Sequence, residues 1–344
     1  MNIVEKLNRK GVITMQLRIT SLDIIRGLAI CAVLFVNMQY MTPVPSDTHN
    51  FTNVDKVIES IYSIVIRGKF ISVFTILFGI GIGIFIDNAK FKERPPYKLM
   101  FRRLIFLFVV GIPCMILGMP FLQYAFVGFF VMFATKIKKP WVILAISFIP
   151  LIFSLINLII HNGNTPSMTL TLFFLMLFGL YLSESKIIYN LKRHYYFLYT
   201  TLLIACIPVI ICLTLYYTGT ISGKLAHGLA EPFQAIGYLM ILFLVFQSSF
   251  MKKVFTPFEK IGKMAFTNFI LQGLLIIITL RIFGYLTPKV GIFVSIIIIV
   301  INVLLSHYWL KHFKQGPLEK LWRKWTYKNV TQSKTQSAQH TVKI

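Results

Sequence analysis

The chain has 344 residues, 56% of them apolar and 15% aromatic, and its 35 Lys and Arg face only 11 Asp and Glu. A mean hydropathy of +0.74 excludes an ordinary soluble domain, and the length suffices for about ten spans of roughly 20 residues. The cations are not clustered as a nucleic-acid groove requires, so no nucleic-acid partner is expected.

Residues 1–21 read as a cytoplasmic N-terminal segment. Apolar stretches predict transmembrane helices at 22–42, 69–86, 104–120, 121–135, 141–160, 169–183, 197–217, 231–250, 263–284 and 290–310. The first is too long for a cleavable signal and is read as a retained span. In the outer loop 43–68, Val54, Val57, Ile58, Ile61 and Val65 recur at helical spacing, with Asp55, Lys56 and Glu59 opposite. That pattern predicts an amphipathic helix lying in the outer interface. The third and fourth spans form a tight hairpin around Gly118 and Pro120. The segment 328–344 is rich in Ser, Thr, Gln and Lys and reads as a disordered cytoplasmic tail.

The loops test this arrangement. Loops and tails on the expected inner side carry 28 cations, those on the outer side six, and Arg26 lies within the first span. Such an alternating bias predicts an all-α, polytopic membrane protein of about ten helices, 22–327 forming one membrane domain with both termini cytoplasmic. Cys31, Cys114, Cys206 and Cys212 all lie in apolar stretches, with no spacing for a disulfide framework or a metal site.

Polar groups inside hydrocarbon are expensive and need a reason. Asp23, Arg26 and Asn37 point roughly the same way from the first helix, the first two at its cytoplasmic end. Asn268 and Gln272 lie one turn apart near the cytoplasmic end of the ninth, and Thr279 continues their face. Ser295, Asn302 and Ser306 make a further stripe on the tenth. These read either as helix–helix hydrogen bonding or as the wall of a polar cavity open to the cytoplasm between the first and ninth spans. Gly79, Gly81 and Gly83 read as small residues for close packing. His49, in the outer loop after the first span, has the chemistry of a general base. No HExxH, GxSxG or paired-carboxylate motif is present.

The run from Arg18 through Leu22, Asp23, Arg26 and Gly27 to Asn37 resembles the opening span of YeiB-family bacterial membrane proteins. Gly68-Lys69-Phe70 through Phe78-Gly79-Ile80-Gly81 resembles their second span. Gly262-Lys263-Met264-Ala265-Phe266-Thr267-Asn268 and Gly316-Pro317-Leu318-Glu319-Lys320-Leu321-Trp322-Arg323 look like that family's C-terminal domain of unknown function, DUF418, here over about 200–327. The first-span pattern is also similar to heparan-α-glucosaminide N-acetyltransferase and related transmembrane acyltransferases. One stretch departs from the family: Cys114 and Met119 stand where many YeiB-like chains carry His and Asp.

The resemblance implies a protein of the bacterial cytoplasmic membrane, surrounded by lipid and compatible with a homodimer, that takes an acyl group from cytoplasmic acyl-CoA to an outer acceptor. Asp23, Arg26, Asn268 and Gln272 are then the candidate donor-binding residues, and His49 with Asn37 the candidate catalytic pair. No metal is expected. Two other readings use the same residues: a permease for a small anionic solute, and a catalytically silent scaffold or immunity protein.

Overall fold

The computed structural model describes residues 20–42, 52–66, 68–115, 120–164 and 168–328. His49, Gly118, Met119 and the tail from 329 onward lie outside the described residues, as do residues 1–19 of the N-terminal segment. The described residues are helical, without strands. The helices are α1 (Thr20–Met41), α2 (Asn53–Ile61, extended by a π-helical turn Tyr62–Ile66), α3 (Lys69–Phe91), α4 (Pro96–Cys114), α5 (Phe121–Ala134), α6 (Pro140–Ile160) and α7 (Met168–Glu184). They continue with α8 (Tyr195–Tyr217), α9 (Gly223–Val245), α10 (Ser249–Val254), α11 (Thr256–Lys263), α12 (Ala265–Phe283), α13 (Pro288–His312) and α14 (Pro317–Thr326).

Among the described residues, seven helical stretches are long and apolar enough to cross a membrane, and α5 and α7 are shorter apolar helices. The outward faces of α6 and α8 leave Ile152, Phe153, Ile156, Ile204, Ile207 and Ile211 exposed, as helices facing lipid would. Two shifts from expectation have clear causes. Helix α4 begins at Pro96, eight residues before the expected third span, because Pro suits the first turn of a helix whatever the polarity that follows. Helix α9 begins at Gly223, where the Ser222 hydroxyl accepts from the Leu225 N–H as an N-cap.

Helix α1 lies within the bundle, packed on α3, α11, α12 and α13. Glycine sets two of the closest contacts. A Cβ on Gly262 would overlap the Asp23 carbonyl, and one on Gly27 the Phe258 carbonyl, so α11 lies backbone-on-backbone against α1. Between α3 and α7, Gly79 faces the Met176 carbonyl and Gly179 the Ile76 carbonyl in the same way. Close approach of this kind lets dispersion and weak Cα–H contacts act between helices that gain little from water exclusion in lipid. Gly81 differs: the nearest atom to a Cβ there is Arg26 Nη2, 3.7 Å away.

Opposite the basic end, the stripe expected to face the interface has Val54, Val57, Ile61 and Val65 exposed and Ile58 half-buried. Asp55 corrects that reading, since it is only 2% exposed and faces the bundle. Its carboxylate accepts from the Thr52 hydroxyl (2.6 Å) and backbone N–H (3.1 Å), and from the Lys289 N–H (3.1 Å) in the first turn of α13. One carboxylate thus caps two helices, which holds α2 on the bundle. Lys69, counted among the outer-loop cations, is the first residue of α3 and is buried.

The glycine contact makes a direct test. Gly262→Val should cost about 3 kcal/mol or more, because backbone atoms rather than flexible side chains are in the way. Gly81→Ala should leave the melting temperature near that of the parent. The detergent-purified variants can be compared by size-exclusion profile and thermal unfolding, and equal stability of the two would contradict the packing described.

Candidate functional site

At the basic end, α1, α3, α4, α5, α11, α12 and α14 enclose a cavity of about 610 Å³. Its mouth is cationic: Arg26, Lys92, Arg103, Lys263, Lys314 and Arg323 line it, against the carboxylates of Asp23 and Glu319. Its inner wall is aromatic, with Phe74, Phe78, Phe121, Tyr124 and Phe269. Along α3 the lining runs from Asn88 to Phe74, about 21 Å at 1.5 Å per residue. The space is amphipathic along its length, charged at one end and apolar at the other.

Both carboxylates are already engaged. Asp23, 2% exposed, accepts from Arg26 Nη1 at 3.3 Å. Glu319 accepts from the backbone N–H groups of Phe266 (2.8 Å) and Thr267 (3.0 Å) and from the Thr267 hydroxyl (2.6 Å). Those amides open α12, whose own cap position is Met264 and supplies no side-chain bond. Glu319 therefore caps α12 from another helix, where its charge meets the positive end of the helix dipole.

Helix α14 forms one side of the mouth. The Trp322 and Trp325 indoles donate to the carbonyls of Arg103 (2.9 Å) and Arg102 (3.2 Å). The Arg103 guanidinium lies 4.1 Å from the Trp322 ring centre and 4.8 Å from that of Phe85. Arg103 was missed in the sequence because it counts as a loop cation when α4 is taken to start at 104. The Pro95-Pro96 pair was the available signal, since a helix starting there puts Met100, Arg103 and Leu107 on one face.

Of the residues singled out in the sequence, Asp23 and Arg26 line the cavity together. Asn268 and Gln272 do not; both are 1% exposed. The Asn268 amide donates to Ser306 on α13 (2.8 Å) and to the Ile261 carbonyl (3.1 Å), so it ties helices together. One turn along, Gln272 and Asn302 are buried, and their amide atoms make no hydrogen bond among the described residues. Asn37 lies half-buried on α1, nearer the opposite end, and does not line the cavity. Cys114 closes α4 within the hydrophobic core. Among the described residues no cluster of His, Cys, Asp or Glu could hold a metal.

Comparison with known proteins agrees with this arrangement of motifs. Residues 184–329 match the family model described as "Protein of unknown function (DUF418)". The chain is 25% identical to YxaH of Bacillus subtilis, over 90% of this chain and 94% of that protein. It is also 25% identical, with the same coverage, to the "Uncharacterized 39.9 kDa protein in amylase 3'region" of Bacillus acidopullulyticus. Similarity to YeiB of Escherichia coli is 32% over 30% of this chain and 28% of that one. No solved structure matches. Gly262, Glu319 and Trp322 all fall within the matched region, which is similar to the DUF418 family.

Proposed function

We propose that this chain is a ten-span protein of the bacterial cytoplasmic membrane, with both termini inside. In this reading it transfers an acyl group from cytoplasmic acyl-CoA to an envelope sugar or lipid on the outer side. The observation that carries the reading is the cavity, cationic where it opens at the basic end and lined by aromatic rings at depth. A CoA thioester has the matching polarity, with phosphates at one end and a slender, uncharged arm at the other. Arg26 and the neighbouring cations would hold the phosphates, and the aromatic wall would exclude water from the thioester. Asp23 fixes the Arg26 side chain by its ion pair.

The acceptor hydroxyl or amine would attack the thioester carbonyl. The new C–O or C–N bond forms as the C–S bond breaks, and the acceptor proton passes by way of a base to the departing thiolate. His49 is the proposed base and Asn37 its neighbour near the outer end of α1. Asn268 supports this indirectly, by tying α12 to α13 through Ser306 behind the cavity wall, while Gln272 is buried one turn along without a hydrogen bond among the described residues.

Two measurements test the reading. With impermeant amine reagents in intact cells, Lys92 and Lys138 should remain unlabelled, and labelling of Lys138 from outside would contradict the ten-span topology. Purified protein in vesicles, given radiolabelled acetyl-CoA, should move the label to an envelope sugar or lipid fraction. His49→Ala should slow that transfer about a hundredfold or more, as loss of a general base does. Unchanged transfer in the variant would remove His49 from the mechanism. Binding without any transfer would favour a permease or a silent relative.

A further inference from the structure

We propose that Arg103 is the centre of a phosphate-binding site at the mouth of the cavity. The site would read a phosphate monoester or diester on whatever molecule fills it. The inference rests on the cavity of the preceding reading but not on the acyl-transfer step.

The Arg103 guanidinium lies over both the Phe85 and the Trp322 rings. Contact with aromatic rings restrains a guanidinium and leaves its edge N–H groups to bond a ligand. Among the described residues it has no ion pair with a carboxylate. The two carboxylates of the wall are spoken for, Asp23 by Arg26 and Glu319 by the N-terminus of α12. Burial disfavours the Arg103 charge most, Tyr327 offsets part of that, and Arg26 adds a smaller repulsion. A guanidinium without a carboxylate partner in a low-dielectric space is costly unless an anion meets it. A planar fork held edge-on bonds two phosphate oxygens at once, which a lysine ammonium does not. Lys92 and Arg323 add further positive charge at the same mouth, which favours a phosphate over a singly charged carboxylate.

Two of these groups, Trp322 and Arg323, come from α14. The site therefore joins the C-terminal helix to α1 and α4, and an occupant would hold α14 down.

The test measures binding of three probes to the full chain in detergent: pyrophosphate, coenzyme A and a short-chain phosphatidic acid, with pantetheine as the phosphate-free control. At least one phosphate probe should bind the parent. Arg103→Gln should weaken it about tenfold to a hundredfold, the loss expected for a charge-assisted hydrogen bond. Any binding of pantetheine should be unchanged. Arg103→Lys should bind several-fold more weakly than the parent, and it serves as the test if the Gln variant elutes aggregated. Absence of binding by every phosphate probe, or equal binding by parent and variants, would overturn the proposal. Arg103-dependent binding confined to the lipid would uphold it while contradicting acyl-CoA as the occupant. Binding of coenzyme A that ignores Arg103 would do the reverse.

Discussion

The contact between Gly27 and Gly262 is the constraint on which the basic end is built. It brings α11 onto the backbone of α1 with no side chain between them. Because α11 runs almost directly into α12, the contact also fixes where α12 begins, and hence where Glu319 must reach to cap it. The cap seats α14, and α14 places Trp322 over Arg103. Each step leaves little freedom to the next: two glycines, one carboxylate and one indole define the mouth. The same chain of contacts explains why motifs at opposite ends of the sequence belong to one site.

Charge follows from that geometry. A carboxylate committed to a helix terminus does not neutralise a cation beside it, so the mouth keeps an excess of positive charge although two acids line it. In water such an excess would cost little. At the edge of an aromatic-walled cavity the effective dielectric constant is lower, and the field acts over a longer range. The cations that line the cavity give its mouth a net positive field. Buried amides at Gln272 and Asn302, without hydrogen-bond partners among the described residues, show that polar matching is incomplete elsewhere in the bundle. That pair lies outside the cavity wall.

The helical class and the positions of the long helices were legible because apolar runs and alternating cations reflect the solvent directly. Each of the stretches expected to span overlaps a helix, although α4, α5 and α7 are not among the seven stretches long and apolar enough to cross a membrane, and the ends move where local chemistry overrides hydropathy, as at Pro96 and Ser222. Asp23 and Arg26 were legible as a pair because both lie on one helix, where periodicity places them. Arg103 and Glu319 were not, since their roles depend on contacts with helices far away in sequence. Asp55 shows the opposite failure. Helical spacing put it on the polar face, but its carboxylate is drawn inward by the free amide of a second helix, which no pattern within α2 could reveal.

The central claim is that the cavity at the basic end holds an elongated, amphipathic anion between α1, α4 and α14. The most direct measurement is an electron cryo-microscopy map of the full chain in lipid nanodiscs with added acetyl-CoA. The account requires continuous density that begins between Arg26 and Arg103 and extends along α3 toward Phe74 and Tyr124. A map with the protein ordered and the cavity either collapsed or filled only by disconnected water would contradict it.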